Sequence, residues 1–318
     1  MRNAFAAEMV KLAVADPRVV LLSGDIGNRL FDEFQARCPG RFFNCGVAEA
    51  NMMSMAAGLA ISGLRPVVYT IAAFATVRCL EQIRVDVAFQ RQPIVIVGVG
   101  AGLSYASLNA THHCCEDIAY LRMMPGMTVV CPADSWEVGG AMRAALSTGN
   151  PVYVRLGKKG EPMVHSREPN FEIGKAIVVR PGRDVCLLAT GTMVAVAMEA
   201  ATALDQEGVN AQVVSFHTVK PLDDHFLAQG FRRFELVVTL EEHSAMGGLG
   251  GSVAEWLSDH PGANGRLLRL GTGDHFIYTA SEQKYAREVH GLTSTSIAER
   301  TLGALKGAPR NRGLVRVG

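Results

Sequence analysis

Neither sign of charge dominates this 318-residue sequence: 31 Lys and Arg stand against 30 Asp and Glu, a formal net charge of +1. Both signs are mixed along the chain. It therefore lacks the basic stripe by which a protein holds nucleic acid or an anionic membrane surface, and neither is expected as a partner. No apolar run approaches the roughly 20 residues that cross a bilayer, and Glu8 and Lys11 interrupt the first turns. A soluble, cytoplasmic protein is expected. The cysteines form neither a disulfide framework nor a zinc pattern. Their number, seven, is odd, and Cys38, Cys45, Cys79, Cys114, Cys115, Cys131 and Cys186 lie mostly in apolar runs without paired ligand spacing. They read as reduced thiols. Short-period repeats and low-complexity tracts are missing too. What is abundant is apolar residues, 48% of the chain with many Gly, Ala and Met, which predicts extensive burial, some of it at subunit contacts. The length exceeds one ordinary core and predicts two domains.

The pattern along the chain is an α/β alternation. Helical spacing over 2–15 ends at Asp16-Pro17, and a strand-length apolar run follows at 19–23. A helix is expected over 30–38, a short strand at 42–45 turning at Gly46, then an apolar helix from Glu49 to Ile61. Strands at 65–71 and 93–100 flank a helix at 74–89, and the second of them, PIVIVGVG, has the continuous apolar character of a buried parallel strand. After a polar loop at 101–115 come a short helix, a strand at 127–132, a helix at 135–147 and a strand at 151–156. Residues 157–183 carry charges, three prolines and little periodicity, as a surface linker does. A second alternation then places strands at 184–190, 211–216, 236–241 and 266–270. Its helices fall near 194–206, 224–229, 248–258, 281–289 and 294–305. The expected architecture is two doubly wound α/β domains, 1–160 and 184–306, joined by a linker at 161–183 and followed by a flexible tail at 307–318.

Five stretches are candidates for chemistry. Glu49 heads a helix whose sides are Met52, Met53, Met55, Ala56, Ala57, Leu59 and Ala60, so the positive helix end favours its charge while apolar surroundings disfavour it. Taken alone, it fits either a helix-capping acid or a functional one. The glycines of Gly98-Val99-Gly100-Ala101-Gly102 follow a strand, but the third glycine of a dinucleotide fingerprint and the following helix are missing. The run GGLGG at 247–251 could present amides to an anion or serve close packing, and packing is the preferred reading. The loop NATHHCCED at 109–117 sets two imidazoles and a carboxylate pair on a strand-end loop, where α/β sheets place their sites. His112 and His113 point apart, which makes a poor zinc site, but an imidazole there can take and return a proton at neutral pH. A purely structural polar loop fits equally well. Glu241-Glu242-His243 reads as structural.

Read in order, LSGDIGN (22–28), NCGVAEANMMSMAAGLA (44–60), FATVRCLEQIR (74–84), THHCCEDIAYLRMMPGMTVVCPAD (111–134), VYVRLG (152–157) and EEHSAMGGLGG (241–251) resemble the C-terminal half of a transketolase. The likeness is to the separately encoded C-terminal subunit of split transketolases. More distantly it extends to deoxyxylulose-phosphate synthase and the β subunit of 2-oxoacid dehydrogenases. It covers nearly the whole chain, residues 2–305. It implies a pyrimidine-binding domain followed by a transketolase C-terminal domain, acting on thiamine diphosphate. On this resemblance Glu49 matches the glutamate that exchanges a proton with the aminopyrimidine ring, Phe74 the aromatic stacked on that ring, and Asp25 an aspartate near the thiazolium edge. Arg78, in the Phe74 motif, is assigned to the cofactor as well. Arg2, Arg29 and Lys158 are assigned to substrate, with Arg2 and Lys158 at phosphate-binding positions. His112 matches the histidine beside the reacting carbon, and His113 is grouped with it as catalytic.

The resemblance also implies a partner. Thiamine enzymes hold the diphosphate through Mg²⁺ with a Gly-Asp-Gly segment and a downstream asparagine, and this sequence has no such pattern. The metal ligands are therefore expected on an N-terminal transketolase subunit, with the two chains forming a heterotetramer and the Met-rich stretch 51–60 at a subunit contact. Departures concern substrate. Gly100 stands where transketolases carry a sugar-phosphate histidine, Leu108 where an aspartate reads a donor hydroxyl, and His113 where glutamine is usual. Ala50 and Ile71 also differ. The expectation is transfer of a two-carbon ketol unit from a ketose to an aldose-type acceptor, with a non-standard sugar among the substrates. The alternatives are a 2-oxoacid decarboxylating subunit and a non-catalytic assembly subunit of the same fold.

Overall fold

In the computed structural model, which describes residues 1–27 and 29–307, the alternation becomes two sheets flanked by helices. Apart from Gly307, the tail expected to be flexible lies outside the described residues. The chain opens with α1 (Arg2–Ala15), β1 (Val19–Ser23), α2 (Asp32–Arg37), β2 (Phe42–Asn44), α3 (Glu49–Ile61) and β3 (Arg65–Ile71). The helix expected at 74–89 is instead a series of short segments: α4 (Ala72–Thr76), a 3₁₀ turn (Val77–Cys79), α5 (Leu80–Gln82) and a π-helical turn (Ile83–Ala88). Side chains compete with the backbone ladder there. Thr76 Oγ1 donates to the Ala72 carbonyl at 2.8 Å and Cys79 Sγ to that of Phe74 at 3.4 Å. Then follow β4 (Val95–Val99), α6 (Asp117–Arg122), β5 (Thr128–Val130), α7 (Ser135–Ser147) and β6 (Val152–Leu156). Asp134 caps α7, its Oδ1 accepting from the amides of Trp136 and Glu137.

The second unit runs β7 (Ile177–Arg180), β8 (Val185–Ala189), α8 (Met193–Gln206), β9 (Ala211–Ser215), β10 (Thr218–Lys220) and α9 (Asp224–Arg233). It ends with β11 (Leu236–Ser244), α10 (Leu249–Asp259), β12 (Arg266–Thr272), α11 (Gln283–Val289) and α12 (Ser294–Lys306). The first sheet has the order β10-β5-β6-β4-β3-β1-β2 and the second β12-β11-β8-β9-β7. All neighbours are parallel except β10 on β5 and β7 on β9. The central strands are fully buried, as their unbroken apolar sequences require.

Two short strands complete the sheets, and one of them, β10, ties the halves together. β10 comes from the second half of the chain but completes the first sheet, and β7, inside the segment expected as a linker, completes the second. The apolar core is continuous across the junction: Met52, Met53, Ala56 and Ala57 share one cluster with Cys186, Val214, Phe231 and Trp256. Met52 and Met53 are thus packed inside the chain itself, whereas the sequence pointed them at a subunit contact. The face that α3 leaves exposed is Asn51, Ser54, Gly58 and Ile61.

Candidate active site

The carboxyl ends of β1, β3, β4 and β6 gather one connected series of side chains, the position that open parallel sheets use for ligands. Glu49, the first residue of α3, is 4% exposed. It lies close to the end of β1 because Gly24 has no side chain. A Cβ there would stand 3.0 Å from Thr70 Oγ1 and 3.5 Å from Glu49 Cγ. The Thr70 hydroxyl is buried and has no partner.

From Glu49 the contacts run outward. Arg78 Nη1 donates to Glu49 Oε2 at 3.3 Å, and the same guanidinium lies over the Phe74 ring, 3.7 Å from its centroid. Phe74 meets His112 edge to face, centroids 5.1 Å apart, and His112 meets Tyr105 at 6.2 Å. Lys158 Nζ sits 4.7 Å from the Tyr105 centroid. His112 Nδ1 is 2.9 Å from Thr111 Oγ1. Burial, and then the charge of Arg78, lower the pKa of His112 below its ordinary value and favour the neutral imidazole.

Asp25 follows Gly24 in a left-handed conformation (φ 56°), and its Oδ1 accepts from Asn44 Nδ2 at 2.8 Å. It shares a pocket of about 410 Å³ with Arg29, Phe31 and Asn44. Arg29 and Arg2 meet in a neighbouring pocket of about 390 Å³, and Arg2 Nε is buried without a partner. The charge of Arg2 also reaches the Tyr105 hydroxyl. Glu49, Arg78, Phe74, His112, Lys158, Arg2, Arg29 and Asp25 therefore share one end of the first sheet.

His113 does not join them. It lines a separate cavity of about 460 Å³ between the loop and the second unit, with Cys115, Glu116, Asp274, His275 and His290. Its Nε2 is buried and partnerless, and burial lowers its pKa. Adjacent imidazoles on one loop thus face two different spaces.

Two residues beyond the sequence reading complete the arrangement, Tyr105 and Thr70, and Glu242, read from the sequence as structural, braces it. Glu242, 1% exposed, reaches across from β11 so that its Oε1 accepts from the Leu103 amide at 2.7 Å, while Gln283 Nε2 donates to both of its oxygens and Arg287 to Oε2. Arg155 binds the carbonyls of Cys114 (2.8 Å) and Glu242 (3.0 Å) and pairs with Asp117 at 2.8 Å. The histidine loop is therefore held at its entry by Glu242 of the second unit and at its exit by Arg155, which joins the Cys114 and Glu242 carbonyls. The GGLGG run has both of its weighed roles at once. The amides of Leu249 and Gly250 bind the carboxylate of Glu241, and a Cβ at Gly248 would fall 1.9 Å from Glu241 Oε2. Burial pushes Glu241 up to about 7 against those amides. Among the described residues no group of three or more His, Cys, Asp or Glu is arranged to hold a metal ion, and no helix is long and apolar enough to cross a membrane.

Comparison with known proteins gives the family. Residues 1–162 match the transketolase pyrimidine-binding domain and residues 174–297 the transketolase C-terminal domain. One chain of the 6-deoxy-6-sulfo-D-fructose transketolase of Clostridium sp. (strain MSTE9) is 36% identical, over 93% of this chain and 92% of that one. One chain of the apulose-4-phosphate transketolase of Phocaeicola vulgatus is 35% identical, over 96% and 97%. Both relatives are described as transketolase subunits. A solved split-gene transketolase, described as an inactive β4 tetramer, superposes with a TM-score of 0.86 at 36% identity, over 96% of this chain and 97% of that one. The chain belongs to the transketolase family, with the two-domain make-up of the separately encoded C-terminal subunit of a split transketolase.

Proposed function

We propose that this chain is the pyrimidine-binding subunit of a heteromeric, thiamine-diphosphate-dependent transferase that moves a two-carbon ketol unit from a ketose to an aldose-type acceptor. The carrying observation is the Glu49–Arg78–Phe74 contact. A planar nitrogen donor stacked on Phe74 and bonded to Glu49 uses the same contacts that an aminopyrimidine would, so the residues fit the cofactor. Bound there, thiamine diphosphate supplies a stabilised carbon nucleophile that accepts and releases the ketol unit.

The chain's own residues have separable tasks. Glu49 Oε2 holds a proton at the cofactor ring and returns it. Phe74 offers the flat apolar face, Thr70 Oγ1 is a free buried hydroxyl beside Gly24, which Glu49 also borders, and Asp25 lines the edge held by Asn44. Neutral His112 can donate or accept at a substrate hydroxyl next to the reacting carbon. Arg2, Arg29 and Lys158 attract an anionic group at the far end of the sugar.

The Mg²⁺ ligands are assigned to an N-terminal partner subunit carrying the diphosphate domain, in a heterotetramer. The relatives' names, with a 6-deoxy-6-sulfo-fructose and an apulose phosphate, support a non-standard sugar. The test is reconstitution with the partner subunit and assay of aldose-dependent ketol transfer. Pyruvate decarboxylation without aldose-dependent transfer would overturn the reading.

A further inference from the structure

We propose that Tyr105 is a specificity-determining residue that hydrogen-bonds the anionic end of the substrate sugar, a phosphate or sulfonate, between Arg2 and Lys158. The inference rests on the transferase reading above and deepens it.

Its basis is a steric exchange between two positions. Gly100, just past β4, has φ 75°. A Cβ there would lie 1.8 Å from Tyr105 Cε2 and 2.1 Å from Cδ2, inside the ring itself. No side chain at 100 can coexist with Tyr105 in this place, so the glycine is the seat of the tyrosine ring. The Tyr105 ring fills the space at the end of β4 that a side chain at 100 would need.

The surroundings define what that ring can bind. His112, in contact with Phe74, is on one side and the Lys158 ammonium is over its face. Among the described residues no group hydrogen-bonds the Tyr105 hydroxyl, and Arg2, Arg29 and Lys158 pair with no carboxylate. Burial keeps the phenol protonated, against the opposing charge of Arg2, so at neutral pH it is a donor. A neutral donor on a ring that carries the Lys158 ammonium over its face, within reach of the Arg2 charge and with neither cation paired to a carboxylate among the described residues, matches a multi-oxygen anion carried on a sugar.

The experiment uses the reconstituted complex and acceptor aldoses bearing a phosphate, a sulfonate or neither. Tyr105→Phe keeps the ring and removes only the hydroxyl. It is expected to raise KM for the charged acceptors roughly tenfold, the scale of one hydrogen bond to a charged group, with kcat and the KM of the uncharged acceptor held. Gly100→Ala, which displaces the ring, is expected to reproduce the KM pattern of Tyr105→Ala. The charged acceptor with the lower wild-type KM identifies phosphate or sulfonate as the natural group. Calorimetric binding of the same sugars reads the loss without turnover. An unchanged KM and binding constant for charged sugars in Tyr105→Phe, or an equal rise for all three, overturns this proposal alone. A wild-type complex that transfers no ketol unit overturns the transferase reading, while the calorimetry still decides the role of Tyr105.

Discussion

Replacing Glu242 by alanine tests how the histidine loop is held. The carboxylate is almost wholly buried and takes four bonds: the Leu103 amide at 2.7 Å, Gln283 Nε2 at 2.9 and 3.1 Å, and Arg287 Nε at 2.5 Å. Its removal strands a guanidinium whose side chain is 19% exposed and an amide at the entrance of the loop. Breaking a buried ion pair from one side costs about 3–5 kcal/mol, and the partial access of water to Arg287 places this case near the lower limit, about 3 kcal/mol. For a chain of this size that is a fall of roughly 4–5 °C in the melting temperature. Urea unfolding gives the free energy, and amide hydrogen exchange at Leu103 gives the local effect, which should be faster exchange than in wild type. Glu242→Gln keeps an acceptor for Leu103 and should lose less. A loss below about 1 kcal/mol with unchanged protection at Leu103 would refute the idea that Glu242 anchors the loop.

Two other outcomes follow from local geometry. Gly248→Ala drives a methyl group into Glu241 Oε2 and His243 Nδ1, 1.9 and 2.5 Å away, so it should destabilise by about 1–3 kcal/mol in thermal unfolding; a neutral effect would show that this contact relaxes freely. Burial opposes the charge on His165, but its 2.7 Å bond to Glu137 and the nearby Asp134 outweigh burial and raise its pKa above 6.5. Its stabilisation is then complete below the unfolded-state value near 6.5 and disappears as pH rises through the raised folded value. The stability difference between wild type and His165→Asn should therefore shrink with rising pH, and a difference that grows would contradict the assignment.

The long elements were readable because their sequences carry a period or an unbroken apolar run. α1, α7 and β3 start and stop where the pattern does, at Asp16-Pro17, Asp134 and Arg65. β7 and β10 were not readable. Four and three residues hold no period, and each is defined by the strand it meets. The segmented helices between Ala72 and Ala88 escaped for a related reason, since helical spacing persists in sequence while Thr76 and Cys79 divert backbone carbonyls. At the site, Glu49 stood out as an acid on an apolar helix, and the family motifs pointed to Phe74 and His112. Tyr105 left only an indirect signal, a glycine at position 100, because an aromatic residue in a loop has no pattern of its own. The adjacency of His112 and His113 misdirected in the opposite sense, since neighbours in a loop need not share a cavity.

The central claim is that Glu49 handles the proton that readies the bound cofactor. It is tested most directly by C2 proton–deuterium exchange of thiamine diphosphate in the reconstituted complex, with wild-type chain and with Glu49→Gln. The expected result is exchange slowed about a hundredfold or more with the fold retained, the scale of a lost general acid–base group. Exchange at the wild-type rate in the Glu49→Gln complex would contradict it.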